Sequence, residues 1–241
     1  MNYTYEQGSY KQGYRSFSKL HHHASHIHSA KLRKISLFDR KIPNFVFIYV
    51  VKPKPMSVVI KTVSSKKDMK VFVRFANKLY KGNRYYVPSM PFDDLNTLDK
   101  DKNGAFDFCE AEYYLAYKDG QVAGRVAAIV NHKANQTWKV DQVRFGWIDF
   151  IDDIEVSSAL LDAVVKFGKD RGMTQIVGPL GFTDFDPEGM LVEGFDRLST
   201  MALIYNYPYY PEHMKRLGYY KETGWVEYRI TIPDELPERH V

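Results

Sequence analysis

The chain has 241 residues, of which 44% are hydrophobic and 15% aromatic, so it can bury a substantial core. Its formal charge of +5 is unevenly distributed: residues 1–55 hold ten lysines and arginines against Glu6 and Asp39, and the remainder holds 24 basic and 27 acidic residues. A nucleic-acid interaction would depend on the first 55 residues alone, and we expect none. The single cysteine, Cys109, excludes an internal disulfide and is typical of a reducing compartment.

No apolar stretch is long enough to span a bilayer. The longest run, residues 45–51, is far shorter than the roughly 20 residues of a membrane-spanning helix. It also lacks the small-residue cleavage site of a secretory signal. These features predict a cytoplasmic protein with no membrane partner.

The first 55 residues show no sustained hydrophobic period. They contain five of the eight histidines, in the stretch HHHASHIH, and they end in KPKP. The histidines have no acidic or cysteine neighbours, so we expect an incidental tract and no metal site. We predict that residues 1–55 are a disordered extension and that the folded domain begins at Met56.

The pattern becomes regular from Met56 onward. The stretch MSVVIKTV predicts a first strand, and Ser65 with Asp68 predicts the start of a helix that continues to residue 80. Residues 112–131 form two β-rich runs around an Asp-Gly pair, which predicts a hairpin.

The second half of the chain continues in the same alternating manner. Strands are predicted at 143–151, 174–180 and 224–230, with a long helix after the first of them. Pro211 predicts the first position of a short helix before the last strand. The order β-α-β-β-β-α-β-α-β indicates an α/β domain with a mixed, mostly antiparallel central sheet and helices on both faces.

The stretch DKDKNGAFDFCE matches a calcium-binding loop in sequence. Pro88 and Pro91 leave little room for an entering helix, however, and the residues after the loop read as a strand. A calcium-loop pattern outside a helix–loop–helix frame is mostly coincidental, so we expect no metal site. The matching positions are Asp99, Asp101, Asn103, Gly104, Asp107 and Glu110.

Three local stretches, taken with the element order, resemble the GNAT superfamily of acyl-CoA-dependent N-acetyltransferases. They are DGQVAGRVAA, SSALLDAVVKFGKDRGMTQIV and YYPEHMKRLGYYKE. The stretch GPLGFTDFDPEGMLVEGFD, followed by YNYPYY, is similar to a bacterial GNAT-like subgroup with a degenerate coenzyme loop. The resemblance implies a single GNAT-like domain over residues 56–232, with residues 233–241 as a tail or a linker to a second half.

The resemblance also implies a coenzyme site. Typical GNAT enzymes bind the diphosphate of acetyl-CoA on main-chain N–H groups where the fourth strand meets the third helix. In the matching segment, IDFIDDIEVSSALLDAV, Asp152 takes the Gln/Arg position, and Glu155 and Ser157 take the two glycine positions. The implied coenzyme-binding residues are Phe150, Ile151, Val156, Ser157, Ser158 and Asn206.

The carboxylates at this junction favour a different interpretation. Negative side chains repel a polyanion at any dielectric constant. Asp152 with Glu155 three residues later instead resembles a capping box, in which Asp152 closes the start of the helix. Met214 stands at the position of the family's general-acid tyrosine, which is a second departure from the GNAT pattern.

The acidic loop after the strand at 174–180 carries the candidate catalytic groups. Asp186 or Glu188 can hold or deprotonate an ammonium group, and Tyr210 aligns with a position near the coenzyme sulfur. A solvated acidic loop and core tyrosines are the competing interpretations. Two functions remain: transfer of an acetyl group from acetyl-CoA to the amine of a small molecule or peptide, or a catalytically inactive GNAT-fold binding or structural module.

Overall fold

The computed structural model describes residues 58–200 and 203–227, together with the main chain of Arg15–Ser16. Of the predicted disordered extension at 1–55, only Arg15–Ser16 is described, and these two residues form a short strand that pairs with the sheet. The histidine tract and the predicted tail at 233–241 lie outside the described residues. Within them, a six-stranded sheet carries helices on both faces, which confirms the predicted α/β class and the mixed, mostly antiparallel sheet.

The elements follow one another in an order close to the predicted one. A 3₁₀ turn at Gly104–Asp107 precedes the long hairpin. The elements are β1 Arg15–Ser16, β2 Val59–Thr62, α1 Lys66–Leu79, α2 Pro91–Thr97, β3 Cys109–Lys118, β4 Gln121–Asn131, α3 His132–Trp138, β5 Gln142–Phe150, α4 Ile154–Lys169, β6 Gln175–Val177 and α5 Tyr209–Arg216.

The strand order across the sheet is β1-β6-β5-β4-β3-β2. All neighbours are antiparallel except β5 and β6, which are parallel. The β3–β4 hairpin turns at Asp119 and Gly120, with φ of 56° and 75°, which is the left-handed backbone that an Asp-Gly turn provides. The predicted hairpin is therefore confirmed.

The sheet separates two apolar layers because alternate strand residues point to opposite faces. Val126 and Val130 of β4 pack with α4 and α5 on one face, which we call the α4 side. Ala127 and Ile129 pack with the middle of α1 on the other face, the α1 side. Ala76 in the last turn of α1 and Tyr80, which follows the helix as its C-cap, pack on the α4 side. The helix therefore contacts both layers.

Strand β5 contains a bulge. Its pairing with β4 advances from Arg125–Asp149 to Ala127–Gly146, so β5 has one residue more than β4 in this interval. Trp147 at the bulge has φ of 44°, a left-handed conformation that is costly for a large side chain. The bulge re-aims the last residues of β5.

The chain after β6 stays against β5. The parallel pairing runs from Gln142–Gln175 to Arg144–Val177, and beyond it Leu180 N donates to Phe145 O at 2.9 Å. A Cβ atom on Gly146 would lie 2.5 Å from Leu180 O, so only glycine permits this approach. The segment after β6 therefore remains in contact with β5 as far as Gly146.

Several local predictions are corrected. Helix α5 begins at Tyr209, so Pro211 is its third residue and not its first. Residues 224–227 of the predicted last strand form no strand, and the others lie outside the described part of the chain. Helices α2 and α3 were not predicted. No helix among the described residues has both the length and the apolar composition needed to cross a membrane.

The contact at Gly146 leads to a stability prediction. We expect Gly146→Ala to lower the free energy of unfolding by about 1–3 kcal/mol, since the added methyl group meets main-chain atoms that cannot rotate away. Gly104→Ala is the matched control because a Cβ there has no neighbour within 4 Å. Urea denaturation of both variants checks the prediction, and equal effects would contradict it.

Candidate functional site

The predicted acidic loop forms a pocket on the α1 side of the sheet. The pocket has a volume of about 300 Å³ and lies between α2, the 3₁₀ turn and the segment after β6. Asp186 is its only carboxylate. Its lining residues are Asn96, Thr97, Lys102, Asn103, Ala105, Phe182, Thr183 and Asp186.

Asp186 is held in this pocket by its own loop. Its Oδ2 accepts a hydrogen bond from Thr183 N at 3.0 Å. A Cβ atom on Gly181 would lie 2.2 Å from the Asp186 Cβ, so glycine at 181 lets the carboxylate approach. Burial raises the pKa of Asp186, and burial followed by repulsion from Asp184 raises the pKa of Glu188. A carboxylate with a raised pKa is a better proton acceptor.

Tyr210 lies on the α4 side of the sheet, away from this pocket. Its hydroxyl is 2.7 Å from the Tyr80 hydroxyl and 3.3 Å from Asp149 Oδ1. Burial raises the pKa of both tyrosines well above the ordinary value, with Asp149 adding to the shift. The structure therefore does not bring Tyr210 together with Asp186 and Glu188, and the predicted group of three does not form one site.

Asp149 is the centre of a buried polar network. Its Oδ2 lies 2.7 Å from Arg125 Nη2 and 2.8 Å from Arg125 Nε, and its Oδ1 accepts from Tyr80 at 2.9 Å. Arg125 is 5% exposed and Asp149 7%. Arg125 Nη1 also donates to Phe72 O and Val73 O, so the network joins α1 to the sheet. A buried ion pair of this kind is stable only when each of its hydrogen-bonding groups has a partner.

The carboxyl end of β5 is covered by α5. Phe150 N donates to the Tyr210 hydroxyl at 3.1 Å, and the Tyr209 hydroxyl donates to Phe150 O at 2.6 Å. The Phe150 ring is fully buried and stacks on Tyr210 with centroids 4.1 Å apart. Both main-chain polar groups of this predicted coenzyme residue are therefore already paired.

Asp153, and not Asp152, caps α4. Asp153 Oδ1 accepts from Glu155 N at 2.9 Å, and its main-chain carbonyl accepts from Val156 N and Ser157 N. Lys118 at the hairpin tip contacts both Asp153 and Glu155. Burial raises the pKa of Asp153, but the bonds from Lys118 and Glu155 N outweigh it and lower that pKa.

Asp152 instead pairs with α5. Its Oδ1 lies 3.0 Å from His213 Nε2, while His213 Nδ1 lies 3.0 Å from Ser157 Oγ. The order Ser–His–Asp resembles a hydrolase triad, but the serine is completely buried and the aspartate side chain is 69% exposed. Ser157 Oγ also donates to Ile154 O. The three groups therefore fasten α5 to α4, since no substrate can reach the serine.

The other predicted coenzyme residues have structural partners. Val156 is completely buried in the α4 layer. Ile151 N donates to Ala123 O at 2.9 Å. Ser158 Oγ donates to Asp162 on the next turn of α4. Asn206 is 1% exposed and exchanges two hydrogen bonds with the main chain of Leu191.

The junction as it stands does not fit the coenzyme that the resemblance implies. A diphosphate needs free main-chain N–H groups, but those of Glu155, Val156 and Ser157 are already bonded within the junction. The groups of Phe150 beside the helix are bonded to tyrosines. The repulsion expected from these carboxylates is itself reduced, because the Lys118 ammonium pairs with Asp153 and Glu155.

The calcium-like loop has other partners. Helix α2 does precede it, against the prediction, but Glu110 bonds His132 and Arg171 at 2.8 and 2.9 Å, and Asn103 caps the 3₁₀ turn. In the described ranges, no three His, Cys, Asp or Glu side chains are arranged to hold a metal ion.

Sequence reasoning missed the buried network and the fastening of α5. Arg125 and Asp149 stand in otherwise apolar strands, VAGRVAAIV and VRFGWIDFI, and a charge in each of two adjacent strands was a usable signal. The contacts of His213 and Lys118 gave no such signal. They join residues 56 and 35 positions apart through the tertiary structure alone.

Comparisons with known proteins found relatives in sequence over part of their length. No protein-family profile matches the chain. It is 31% identical over 163 residues to Protein YghO of Escherichia coli (strain K12), covering 68% of this chain and 42% of that protein. It is 25% identical over 178 residues to the Bacterial ceramide synthase of Caulobacter vibrioides (strain NA1000 / CB15N), covering 73% of this chain and 46% of that protein. The chain thus spans less than half the length of these relatives.

Two of the solved structures to which the chain is similar are named as acetyltransferases. One, a predicted acetyltransferase with acetyl-CoA from Clostridium acetobutylicum, has a TM-score of 0.42 and 12% identity, covering 71% of this chain and 96% of that one. A putative acetyl transferase from Pyrococcus furiosus has a TM-score of 0.40 and 14% identity, covering 72% and 100%.

The chain's own elements define its class. The order of strands and helices, the single parallel pair at β5–β6 and the helix that follows β5 form a GNAT-type arrangement. The protein therefore has the arrangement that the resemblance to the GNAT superfamily predicts.

The revised cap gives a prediction that separates neighbouring residues. We expect Asp153→Ala to lower the free energy of unfolding by about 1 kcal/mol, as for a typical N-cap. Asp152→Ala is the comparison and should cost less, because the Asp152 side chain is 69% exposed and bonds His213 instead of the main chain at the start of α4. Chemical denaturation measures both. A larger loss for Asp152→Ala would contradict the assignment of the cap.

Proposed function

We propose that this chain is an N-acyltransferase domain that transfers an acyl group from an acyl thioester to an amine. The observation that carries the proposal is Asp186, a half-buried carboxylate with a raised pKa in a defined pocket. The relative from Caulobacter supports it, because a ceramide is an N-acylated long-chain amino alcohol and its synthesis requires an amide bond.

The role of Asp186 follows from the charge of its substrate. An amine is protonated at neutral pH and must lose a proton before its nitrogen can attack an acyl carbon. Asp186 attracts the ammonium group and accepts this proton, a role for which its raised pKa is suited. The attack forms a C–N bond and breaks the C–S bond of the thioester, and the thiolate leaves and takes up the second nitrogen proton as a thiol. The chain's own groups that are closest to this chemistry are Asp186 and the neighbouring Glu188.

The acceptor that fits the surroundings is an amine with an apolar chain. Phe185, next to Asp186, is fully exposed, and Phe92 on α2 is 71% exposed. Helix α2 also contributes Asn96 and Thr97 to the pocket. An exposed aromatic group on each of two segments that form the pocket, together with the Asp186 carboxylate, suits a ligand with a cationic head and a hydrocarbon tail. The Caulobacter relative is named as a ceramide synthase, and a long-chain amine is consistent with that name.

A second candidate is a non-catalytic GNAT-fold module that supports another part of a longer protein. Two observations favour it: the closed β5–α4 junction and the coverage of 42% and 46% of the two relatives. In this case the pocket at Asp186 would bind a ligand without turning it over.

We expect Asp186→Asn to lower the rate of acyl transfer to a long-chain amine about 100-fold or more, as for loss of a general base. Asp184→Asn is the matched control and should keep its activity, since Asp184 is exposed and does not line the pocket. In the unmodified protein the rate should fall as the pH decreases through the raised pKa of Asp186, because only the ionised carboxylate accepts a proton.

The measurement is product formation from an acyl-CoA and a long-chain primary amine as a function of pH. Loss of activity in Asp186→Asn, with activity kept in Asp184→Asn, would support the enzyme. Equal activity in both variants would overturn the role of Asp186. Binding of the amine without turnover under any condition would favour the non-catalytic module.

A further inference from the structure

Arg144 occupies a position in β5 where the sheet favours an apolar side chain. It pairs with Ile129 of β4 and with Val177 of β6. Val143 and Phe145 on either side of it are buried in the α4 layer. Arg144 therefore points to the α1 side of the sheet, where Ile129 also packs. A half-buried arginine among apolar groups needs polar partners, and these partners indicate its role.

The partners of Arg144 are main-chain carbonyls of the loop that carries Asp186. Arg144 Nη1 donates to Gly181 O at 3.1 Å and to Phe182 O at 3.3 Å. Asn131 Nδ2 donates to the same Phe182 oxygen at 2.9 Å. Hydrogen bonds from a charged donor are stronger than those between neutral groups. Two side chains from the adjacent strands β4 and β5 therefore hold the start of this loop against the sheet.

We propose that Arg144 is a positioning residue for the Asp186 carboxylate, on which it acts through the loop and through its positive charge. Arg144 is not among the residues that line the pocket, so a ligand there meets Asp186 and not the guanidinium. This inference rests on the proposed function for the identity of the ligand. The effect of Arg144 on the loop and on Asp186 can nevertheless be measured without catalysis.

The loop connects Arg144 to Asp186 over a short distance. Gly181 lies against the Asp186 side chain, since a Cβ on Gly181 would be 2.2 Å from the Asp186 Cβ. Thr183 N donates to Asp186 Oδ2 at 3.0 Å, and Asp186 N donates to Thr183 O at 3.1 Å. Phe182 between them is completely buried. The carboxylate is thus held by residues 181–183, and Arg144 bonds the first two of these.

The charge of Arg144 also affects the proton affinity of Asp186. Burial raises the pKa of this carboxyl, whereas the main-chain bonds of the loop and then the Arg144 charge lower it. Burial and then Asp184 raise the pKa of Glu188, and Arg144 opposes this shift too. A general base must be ionised before the substrate arrives and still be basic enough to accept a proton. Arg144 favours the first condition, and burial favours the second.

Other titratable groups face the same pocket. The Cys109 thiol and the Tyr113 hydroxyl on β3 lie near Asp186, but burial raises the pKa of both, that of Cys109 to about 11, so they stay neutral at neutral pH. Lys102 bonds Asn96, whereas Arg144 bonds the main chain of the loop. The charged groups around the pocket are Asp94, Asp99, Lys102, Arg144, Asp184 and Glu188.

Carbon-13 NMR titration of the Asp186 carboxyl in the full chain, without substrate, tests the effect of the charge. Arg144→Gln keeps a hydrogen-bond donor but removes the charge, so we expect the titration midpoint to move to higher pH. Arg144→Lys keeps the charge and should keep the midpoint of the unmodified protein. Arg216→Gln is the matched control and should not move the midpoint, because Arg216 is exposed on α5, which packs on the other face of the sheet.

Amide hydrogen exchange tests the effect on position. Arg144→Met removes both the charge and the donors, so we expect the amides of Thr183 and Asp186 to exchange about tenfold faster while those of α4 stay unchanged. Unchanged exchange in the loop, or equal acceleration throughout the domain, would overturn the positioning role. An unmoved midpoint in Arg144→Gln would overturn the effect of the charge. If Arg144→Gln does not fold, Arg144→Lys decides alone, because a raised midpoint in that variant contradicts the proposal.

The role of Arg144 and the acyltransferase activity fail in different ways. A raised Asp186 midpoint in Arg144→Gln, with no acyl transfer by any form, would support the role of Arg144 and overturn the acyltransferase. Acyl transfer with the same pH profile in Arg144→Gln as in the unmodified protein would support the acyltransferase and overturn the role of Arg144. If both are correct, the acidic limb of the pH–rate profile moves to higher pH in Arg144→Gln, and Arg144→Lys restores it.

Discussion

The buried ion pair between Arg125 and Asp149 is the interaction on which the rest of the arrangement depends. Desolvating both charges is costly, and the cost is offset only if each remaining hydrogen-bonding group finds a partner. Arg125 finds carbonyls of α1, and Asp149 finds the tyrosines of α1 and α5. Two strands and two helices are therefore positioned by one set of polar contacts, and this fixes α5 beside the end of β5.

That placement determines which groups are accessible at the end of β5. The fold is defined by its sheet and helices, whereas its chemistry depends on the site that those elements carry. Here the end of β5 is covered by aromatic side chains, and an acidic pocket lies on the other face of the sheet. The pocket at Asp186 and the covered end of β5 are thus on different faces of the sheet, and Trp147 at the bulge packs against Phe182 of the pocket.

The sequence was sufficient for the strands β2 to β6 and the long helices α1 and α4, because local period and turn chemistry determine them. The hairpin at Asp119 and Gly120 is the clearest case. It was not sufficient at the β5–α4 junction. There the cap lies at Asp153 and not Asp152, since His213 from a distant part of the chain binds Asp152. Tyr210 was singled out for its place in a family pattern, but its contacts come from tertiary packing that no local pattern contains.

The coupling of α1 to α5 through this network can be measured directly with a double-mutant cycle. Tyr80→Phe and Tyr210→Phe each remove one hydroxyl and leave the Arg125–Asp149 pair intact. We expect the two changes in the free energy of unfolding to be non-additive, with a coupling of about 0.5–3 kcal/mol between the contacting hydroxyls. Additive effects, within about 0.3–0.5 kcal/mol, would show that the hydroxyls act independently and would contradict the account.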